Sequence, residues 1–196
     1  MRVIETVVVT RNSHINAAAI GVWKEGGFYF LRVFEGSNTF ANLLKNEKFS
    51  INFVSKEQLH ILLRCALVGH NNNVQELDTN AFLFWNDVPY LKESFSVIAC
   101  VEHRELVFVE DWVGRARCLL VRAREVQSFG ELKGIVSREE FIPILEAAVL
   151  ATKYLDASDR AKMEIRSKLD SLLPLIHGYV EEVKLIKEIL GYGEKG

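Results

Sequence analysis

Residues 32–42 hold the side chains best suited to chemistry in this sequence, and they read Arg-Val-Phe-Glu-Gly-Ser-Asn-Thr-Phe-Ala-Asn. Gly36 permits a sharp turn, and Ser37 is a residue type that caps helices, so a short helix is expected to begin after it. The unpaired N–H groups and the dipole at such a helix start attract phosphate and other anions. Arg32 adds a guanidinium group that can bind phosphate through two hydrogen bonds. The segment therefore predicts a phosphate-binding turn.

Thr39 and Asn42 extend the same candidate site. They lie three positions apart, so on a helix their hydroxyl and amide groups point the same way. Each residue also has an ordinary structural explanation, because helix caps are far commoner than phosphate sites. Ser37 could be only a cap, Thr39 a first-turn residue and Asn42 the end of a helix. Arg32 could pair with Glu35 at the surface.

A run of small residues, Asn16-Ala17-Ala18-Ala19, interrupts an otherwise bulky predicted strand at residues 14–23. Small side chains on a strand let a flat ring approach the backbone and use its N–H and C=O groups. The same run could instead mark tight packing between strands or subunits. The residues alone leave both explanations open.

Alternating and helical apolar patterns predict the elements that must position these residues. Alternation predicts strands at residues 4–10, 14–23, 28–34, 49–53, 95–110 and 115–126, and helical spacing predicts short helices at 38–48 and 58–67. Gly26-Gly27 is a signal for a two-residue hairpin. The last two strands, joined around residues 111–114, are long enough to be curved strands of a closed barrel. The expected fold class is mainly β with α, an antiparallel barrel.

The last third of the chain has helical apolar spacing. Ser137 and Glu140 form a capping-box pattern, which predicts a helix start ahead of the apolar stripe at residues 141–155. Such stripes are ordinarily packing faces, so these helices are expected to pack on the barrel or on a partner subunit. We predict a barrel domain over residues 1–130 and a helical C-terminal extension over residues 131–196.

Composition and spacing argue against several other classes of function. The formal net charge is −2, without the basic excess typical of nucleic-acid binding. The histidines show no metal-ligand spacing, and Cys65, Cys100 and Cys118 include no Cys-x-x-Cys pair, so no metal site is expected. No stretch is long and apolar enough for a membrane span. An odd number of cysteines without a secretory signal favours reduced thiols in a cytoplasmic protein.

Taken in order, these segments resemble the FMN-binding split-barrel superfamily of flavin reductase-like proteins. The residues that carry the resemblance are Thr10 with Asn16-Ala17-Ala18, then Ser37-x-Thr39-x-x-Asn42-Leu43, then Phe49-Ser50-Ile51-Asn52. The similarity covers about the first 125 residues. The fold it implies is a split β-barrel of the FMN-binding type.

Nearly the whole chain is similar to a narrower family, found largely in archaea and known only as domain of unknown function 447. The shared features are Glu5-Thr6, Asn16-Ala17-Ala18, Arg32-x-Phe34-Glu35-Gly36-Ser37-x-Thr39 and the helical last third.

The resemblance implies FMN bound at the interface of a homodimer, its phosphate near residues 32–42 and its ring along residues 16–19. The residues it assigns to cofactor binding are Thr10, Asn16, Ala17, Ala18, Arg32, Ser37, Thr39 and Asn42. No nucleic-acid or membrane partner is expected, and the small-molecule redox substrate is unknown.

Three functions are compatible with the sequence. The chain could be an FMN-dependent oxidoreductase of flavin reductase-like type, a non-catalytic flavin-binding or assembly protein, or a barrel that has lost flavin and binds another phosphorylated ligand. Flavin reductases commonly carry a Gly-Asp-His segment late in the barrel. The equivalent stretch here, Val101-Glu102-His103-Arg104-Glu105, lacks it, so reductase activity does not follow from the resemblance.

Overall fold

A computed structural model of the chain describes residues 2–68, 76–111, 114–137, 139 and 141–191. The strands are β1 (Ile4–Arg11), β2 (Ile15–Glu25), β3 (Phe28–Phe34), β4 (Lys48–Phe53), β5 (Phe82–Trp85), β6 (Val88–Leu91), β7 (Phe95–Asp111) and β8 (Gly114–Phe129). The helices are α1 (Asn38–Lys45), α2 (Leu59–Val68), α3 (Ile142–Asp156), α4 (Asp159–Leu172) and α5 (Val180–Ile189).

Six of these strands close into a barrel in the order β1-β2-β3-β8-β7-β4, with every neighbouring pair antiparallel. The predicted hairpin between β2 and β3 is confirmed, since Gly26 and Gly27 have φ angles of 57° and 84°. Residues 112–113, in the predicted turn between β7 and β8, lie outside the described residues. The mainly β antiparallel barrel with helices is confirmed.

Strand alternation divides the apolar side chains between two cores. On β1, Val8 faces the inside of the barrel and packs with residues such as Phe49. Val7 and Val9 point to the outside, where they pack in one cluster with residues of α2 to α5, Ile144 among them. The helices of the last third therefore cover one outer face of the barrel.

A hairpin of β5 and β6, which the sequence patterns did not predict, forms a separate two-stranded sheet. Its turn residues Asn86 and Asp87 have φ angles of 43° and 67°, as a two-residue hairpin turn requires. Asn52 of β4 ties this hairpin to the barrel. Its side-chain oxygen accepts a hydrogen bond from the Leu91 N–H at 2.8 Å, and its amide donates to the Val7 carbonyl at 2.7 Å. Asn52 therefore has a structural role.

Helix α1 is three residues shorter than predicted. It ends at Lys45, because Asn46 adopts an extended conformation and its backbone N–H closes the last turn on the Asn42 carbonyl at 2.8 Å. The side chain of Asn46 donates to the Arg11 carbonyl, so the helix end is fixed to the end of β1.

The predicted capping box at Ser137 is wrong. Helix α3 begins after Phe141 without a side-chain cap, whereas Ser137 forms a β-bridge with Ile4 and is fully buried. Pairing with a strand distant in sequence has overridden a local signal, and Glu140 lies outside the described residues. Among the helices that the structure describes, none is long and apolar enough to cross a membrane.

Candidate functional site

The barrel is split where β2 and β3 part. The two strands pair only from Val22 opposite Leu31 to Glu25 opposite Phe28. The first half of β2 pairs with β1 alone, while the end of β3 continues along β8. Helix α1 follows β3 directly and packs against β1, β2 and β3 near this gap. The segment with the candidate phosphate ligands therefore lies at the split in the sheet.

Four of the predicted site residues meet beneath α1. Thr10 and Asn16 are directly opposite each other at the ends of β1 and β2. The Asn16 amide donates to the Thr39 hydroxyl at 2.8 Å, and the Asn42 amide donates to the Thr10 hydroxyl at 2.9 Å. All four side chains are buried. In both bonds the threonine oxygen accepts, so each hydroxyl proton can still be donated elsewhere.

The start of α1 has the geometry of an anion site. Gly36 has a φ angle of 89°, and the space beside it is open. Ser37 is the N-cap: its hydroxyl accepts from the Phe40 N–H at 3.1 Å and donates to the Phe34 carbonyl at 2.9 Å. The next two N–H groups, of Asn38 and Thr39, have no acceptor among the described residues. The free donors for an anion are thus backbone groups and the Thr39 hydroxyl, because the Ser37 hydroxyl is already used.

Arg32 is exposed on the outer face of β3, with its guanidinium carbon 5.5 Å from the centre of the Trp23 ring. The surface pair with Glu35 that the sequence left open is not formed, because Glu35 pairs with Arg117. Within the described part of the chain, Arg32 has no carboxylate partner. Its N–H donors stay available, and no hydrogen bond joins it to Ser37 or Thr39.

The alanine run lies along the open edge of β2. Ala18, opposite Val8, shares the inner face of the barrel, while Ala17 points outward into the helical core. The carboxylate of Glu76 lies against the backbone of Ala17, and burial raises the pKa of that carboxyl group above its ordinary value. No sequence signal identified Glu76 as part of this edge, since its position depends wholly on the tertiary fold.

The cysteines and acidic residues offer no alternative chemistry. Cys65 and Cys118 are buried, and burial raises the pKa of both thiols, which keeps them in the unreactive protonated form. Among the residues described, no group of three or more His, Cys, Asp or Glu side chains could hold a metal ion.

Residues 4–111 match the family described as protein of unknown function (DUF447), N-terminal domain. The chain belongs to this DUF447 family. An uncharacterized protein of Methanocaldococcus jannaschii is 33% identical over 125 residues, which are 63% of this chain and 59% of that protein. The chain thus spans about 59% of the length of this curated relative. The family resemblance predicted from the sequence is confirmed.

Solved structures share the fold of this DUF447 chain. An FMN-bound protein from Methanosarcina mazei is 25% identical, with a TM-score of 0.69 over 96% of this chain and 95% of that one. Flavoredoxin from Methanosarcina acetivorans is 14% identical, with a TM-score of 0.53 over 66% and 69% of the two chains. A flavin reductase domain protein from Arthrobacter is 10% identical, with a TM-score of 0.52 over 67% and 80%. The last two likenesses show the fold alone.

The stretch in which the DUF447 chain departs from flavin reductases lies on β7. The register of β7 against β8 shifts between Val101 and His103. His103 is exposed, and Glu102 forms an ion pair with Arg124 at 2.9 Å. Arg104 turns back to α1 and donates to the Leu43 carbonyl at 2.6 Å. The side chains of Glu102 and Arg104 are thus occupied by surface pairing and by contact with α1.

Proposed function

We propose that this chain binds FMN in the split between β2 and β3. The phosphate binds at the start of α1, and the ring lies along the open edge of β2. The observation that carries the proposal is that α1 lies against this split with two N–H groups at its start that have no acceptor among the described residues. The FMN-bound protein from Methanosarcina mazei, similar over 96% of this chain, supports the choice of ligand.

Of the eight predicted site residues, five would line the FMN site and three would hold α1 in place. Arg32 and Thr39 bind the phosphate with the backbone N–H groups that follow Ser37, while the edge formed by Ala17 and Ala18 faces the ring. The remaining three, Thr10, Asn16 and Asn42, hold α1 against the barrel through their buried hydrogen bonds. Bound FMN would supply one- and two-electron transfer, and the protein would bind and orient it.

The proposal extends to a cytoplasmic homodimer. Leu106 and Phe108, two residues apart on one face of β7, are 51% and 60% exposed. Clustered apolar side chains of this size are typical of surfaces that another protein covers, and a second copy is the partner we propose. The three free cysteines fit a reducing compartment. A sedimentation mass equal to one chain would contradict the dimer.

Replacing Arg32 tests where the phosphate binds. Arg32→Ala should weaken FMN binding by about 1.5–3 kcal/mol, the range for a hydrogen bond to a charged group, or roughly 10- to 150-fold in Kd. Arg122→Ala is the matched control, because Arg122 is also exposed and lies 5.0 Å above the Phe28 ring on the neighbouring strand. Arg122→Ala should change the Kd for FMN less than about twofold. Equal losses in both variants would contradict the proposed phosphate site.

We propose further that the bound flavin takes part in electron transfer as an oxidoreductase. Anaerobic addition of a reduced nicotinamide to the FMN-loaded protein should bleach the flavin absorbance. Flavin that stays oxidised with this donor, yet is retained by the protein, would favour the alternative of a non-catalytic flavin-binding or assembly protein. A protein that takes up no added FMN would contradict both.

A further inference from the structure

An open cavity of about 370 Å³ lies where β1 and β4 part. The two strands pair at Val9 and Ser50 but not beyond, so Thr10 and Arg11 separate from Phe49 and Lys48. The turn of the β5–β6 hairpin closes the third side. The volume is within the range of small-molecule sites.

The floor and the rim of this cavity differ in character. Val9, Phe49 and Val88 lie beneath the cavity but are almost wholly buried, so they offer a ligand little apolar surface. The rim carries exposed charged side chains, two of each sign: Arg11 and Lys48, Glu47 and Asp87. In the part of the chain that the structure describes, none of these four forms an ion pair. A cavity with unpaired charges at its rim is suited to a small charged ligand.

The two cations are positioned by aromatic rings. Arg11 lies 5.5 Å from the centre of the Phe84 ring, and Lys48 lies 5.7 Å from the centre of the Trp85 ring. A ring face orients a cation without accepting its N–H bonds in the way a carboxylate does. The donors of both residues therefore stay free for an anion. The carboxylates at the rim have no such support from a ring in the described residues.

The C-terminal end of α1, which carries partial negative charge, also borders the cavity at Asn46. Arg104 offsets this charge, because its guanidinium donates to the Leu43 carbonyl at 2.6 Å and to the Asn46 carbonyl at 2.7 Å. The end of the helix therefore does not repel an anion held on the opposite side of the rim.

We propose that this cavity binds a small organic anion, with a carboxylate or phosphate group between Arg11 and Lys48. The site is distinct from the proposed FMN phosphate site. That site is at the start of α1, whereas the cavity borders its end, eight residues or about 12 Å further along. The inference does not depend on FMN binding.

Calorimetric titration of the purified full chain with benzoate and with phenyl phosphate tests the site. Both probes should bind at least 10-fold more tightly than neutral benzamide, which has the same ring. Arg11→Gln and Lys48→Met should each weaken both probes at least fivefold. Lys45→Met is the matched control, because Lys45 is exposed and adjoins Asn46 in the sequence but does not line the cavity, and it should change binding less than twofold. Asp87→Asn should leave the affinity equal or higher.

Three results would overturn the proposal. Benzamide could bind as tightly as benzoate, Lys45→Met could weaken binding as much as Lys48→Met, or added FMN could displace the probes. If Arg11→Gln lowers the unfolding midpoint, Arg11→Lys serves in its place and should stay within threefold of the parent chain, since it keeps the charge. The same titrations in the Arg32→Ala chain should be unchanged, so failure of this site is separable from failure of the FMN site.

Discussion

Thr39→Val separates the structural role of Thr39 from its proposed role in binding. The substitution keeps the shape of the side chain but removes the hydroxyl that accepts from the Asn16 amide at 2.8 Å. Thr39 is 1% exposed and Asn16 8% exposed, so water cannot easily replace the lost acceptor. An unsatisfied buried donor costs about 1–3 kcal/mol. Unfolding in urea without FMN should show a loss of stability of this size.

The same variant should lose FMN affinity beyond this structural effect. If the Thr39 hydroxyl donates to the phosphate, its removal should cost a further 1.5–3 kcal/mol, roughly, or about 10- to 150-fold in Kd. Fluorescence titration with FMN measures this loss at a temperature where the variant is fully folded. Thr39→Ser keeps the hydroxyl and should retain both stability and affinity to within about 1 kcal/mol.

A double-mutant cycle that combines Thr39→Val with Asn16→Ala decides whether the hydrogen bond between these two residues stabilises the fold. Contacting residues that share a buried hydrogen bond should show a coupling energy of about 0.5–3 kcal/mol. Additivity within about 0.3 kcal/mol would refute the claim that this bond holds α1 to the barrel. Full FMN affinity in Thr39→Val would refute its contact with the phosphate.

Three further predictions concern other parts of the molecule. Burial raises the pKa of Glu76 above 4.5, so the folded state holds this proton more tightly than the unfolded state does, and stability falls as pH rises from about 4.5 through the raised pKa. Glu76→Gln should abolish this fall. The prediction is contradicted if the urea midpoints of Glu76→Gln and the parent chain change in the same way with pH between roughly pH 4 and pH 8. Gly36→Ala, at a φ of 89°, should cost about 1–2 kcal/mol of stability, whereas Gly178→Ala, with open space and an ordinary φ, should cost nothing. Replacing Leu106 and Phe108 together with Ser should convert the proposed dimer into monomers without lowering the monomer's stability, and an unchanged sedimentation mass would place the interface elsewhere.

The local parts of this fold were readable from the sequence because they depend on neighbouring residues. Strand β3 begins and ends where alternation predicted, at Phe28 and Phe34. The Gly26-Gly27 hairpin follows from the positive φ angles that only glycine adopts freely. The cap at Ser37 follows from its hydroxyl and the helix after it. Each signal lies within a few residues of the feature that it predicts.

The parts that the sequence did not reveal depend on contacts between distant segments. Glu76 is an ordinary acidic residue in the sequence, and only the fold brings its carboxylate to the backbone of Ala17. Ser137 carried a helix-capping signal, but its bridge to Ile4 draws it into the sheet instead. The cavity at Arg11 exists because β1 and β4 part after closing the barrel, and no local pattern specifies where two strands separate.

Helix α1 connects the two proposed sites physically, and its own stability cannot hold it in place. A helix of eight residues is too short to be stable alone in water. Its position therefore depends on Phe40 and Leu43, which enter the barrel core, and on the buried bonds to Asn16 and Thr10. Loss of the Thr10 hydroxyl should therefore loosen both the start of α1 that faces the phosphate and the end that borders the cavity. Arg32 lies on β3 outside this helix, so a change there affects only its own contact.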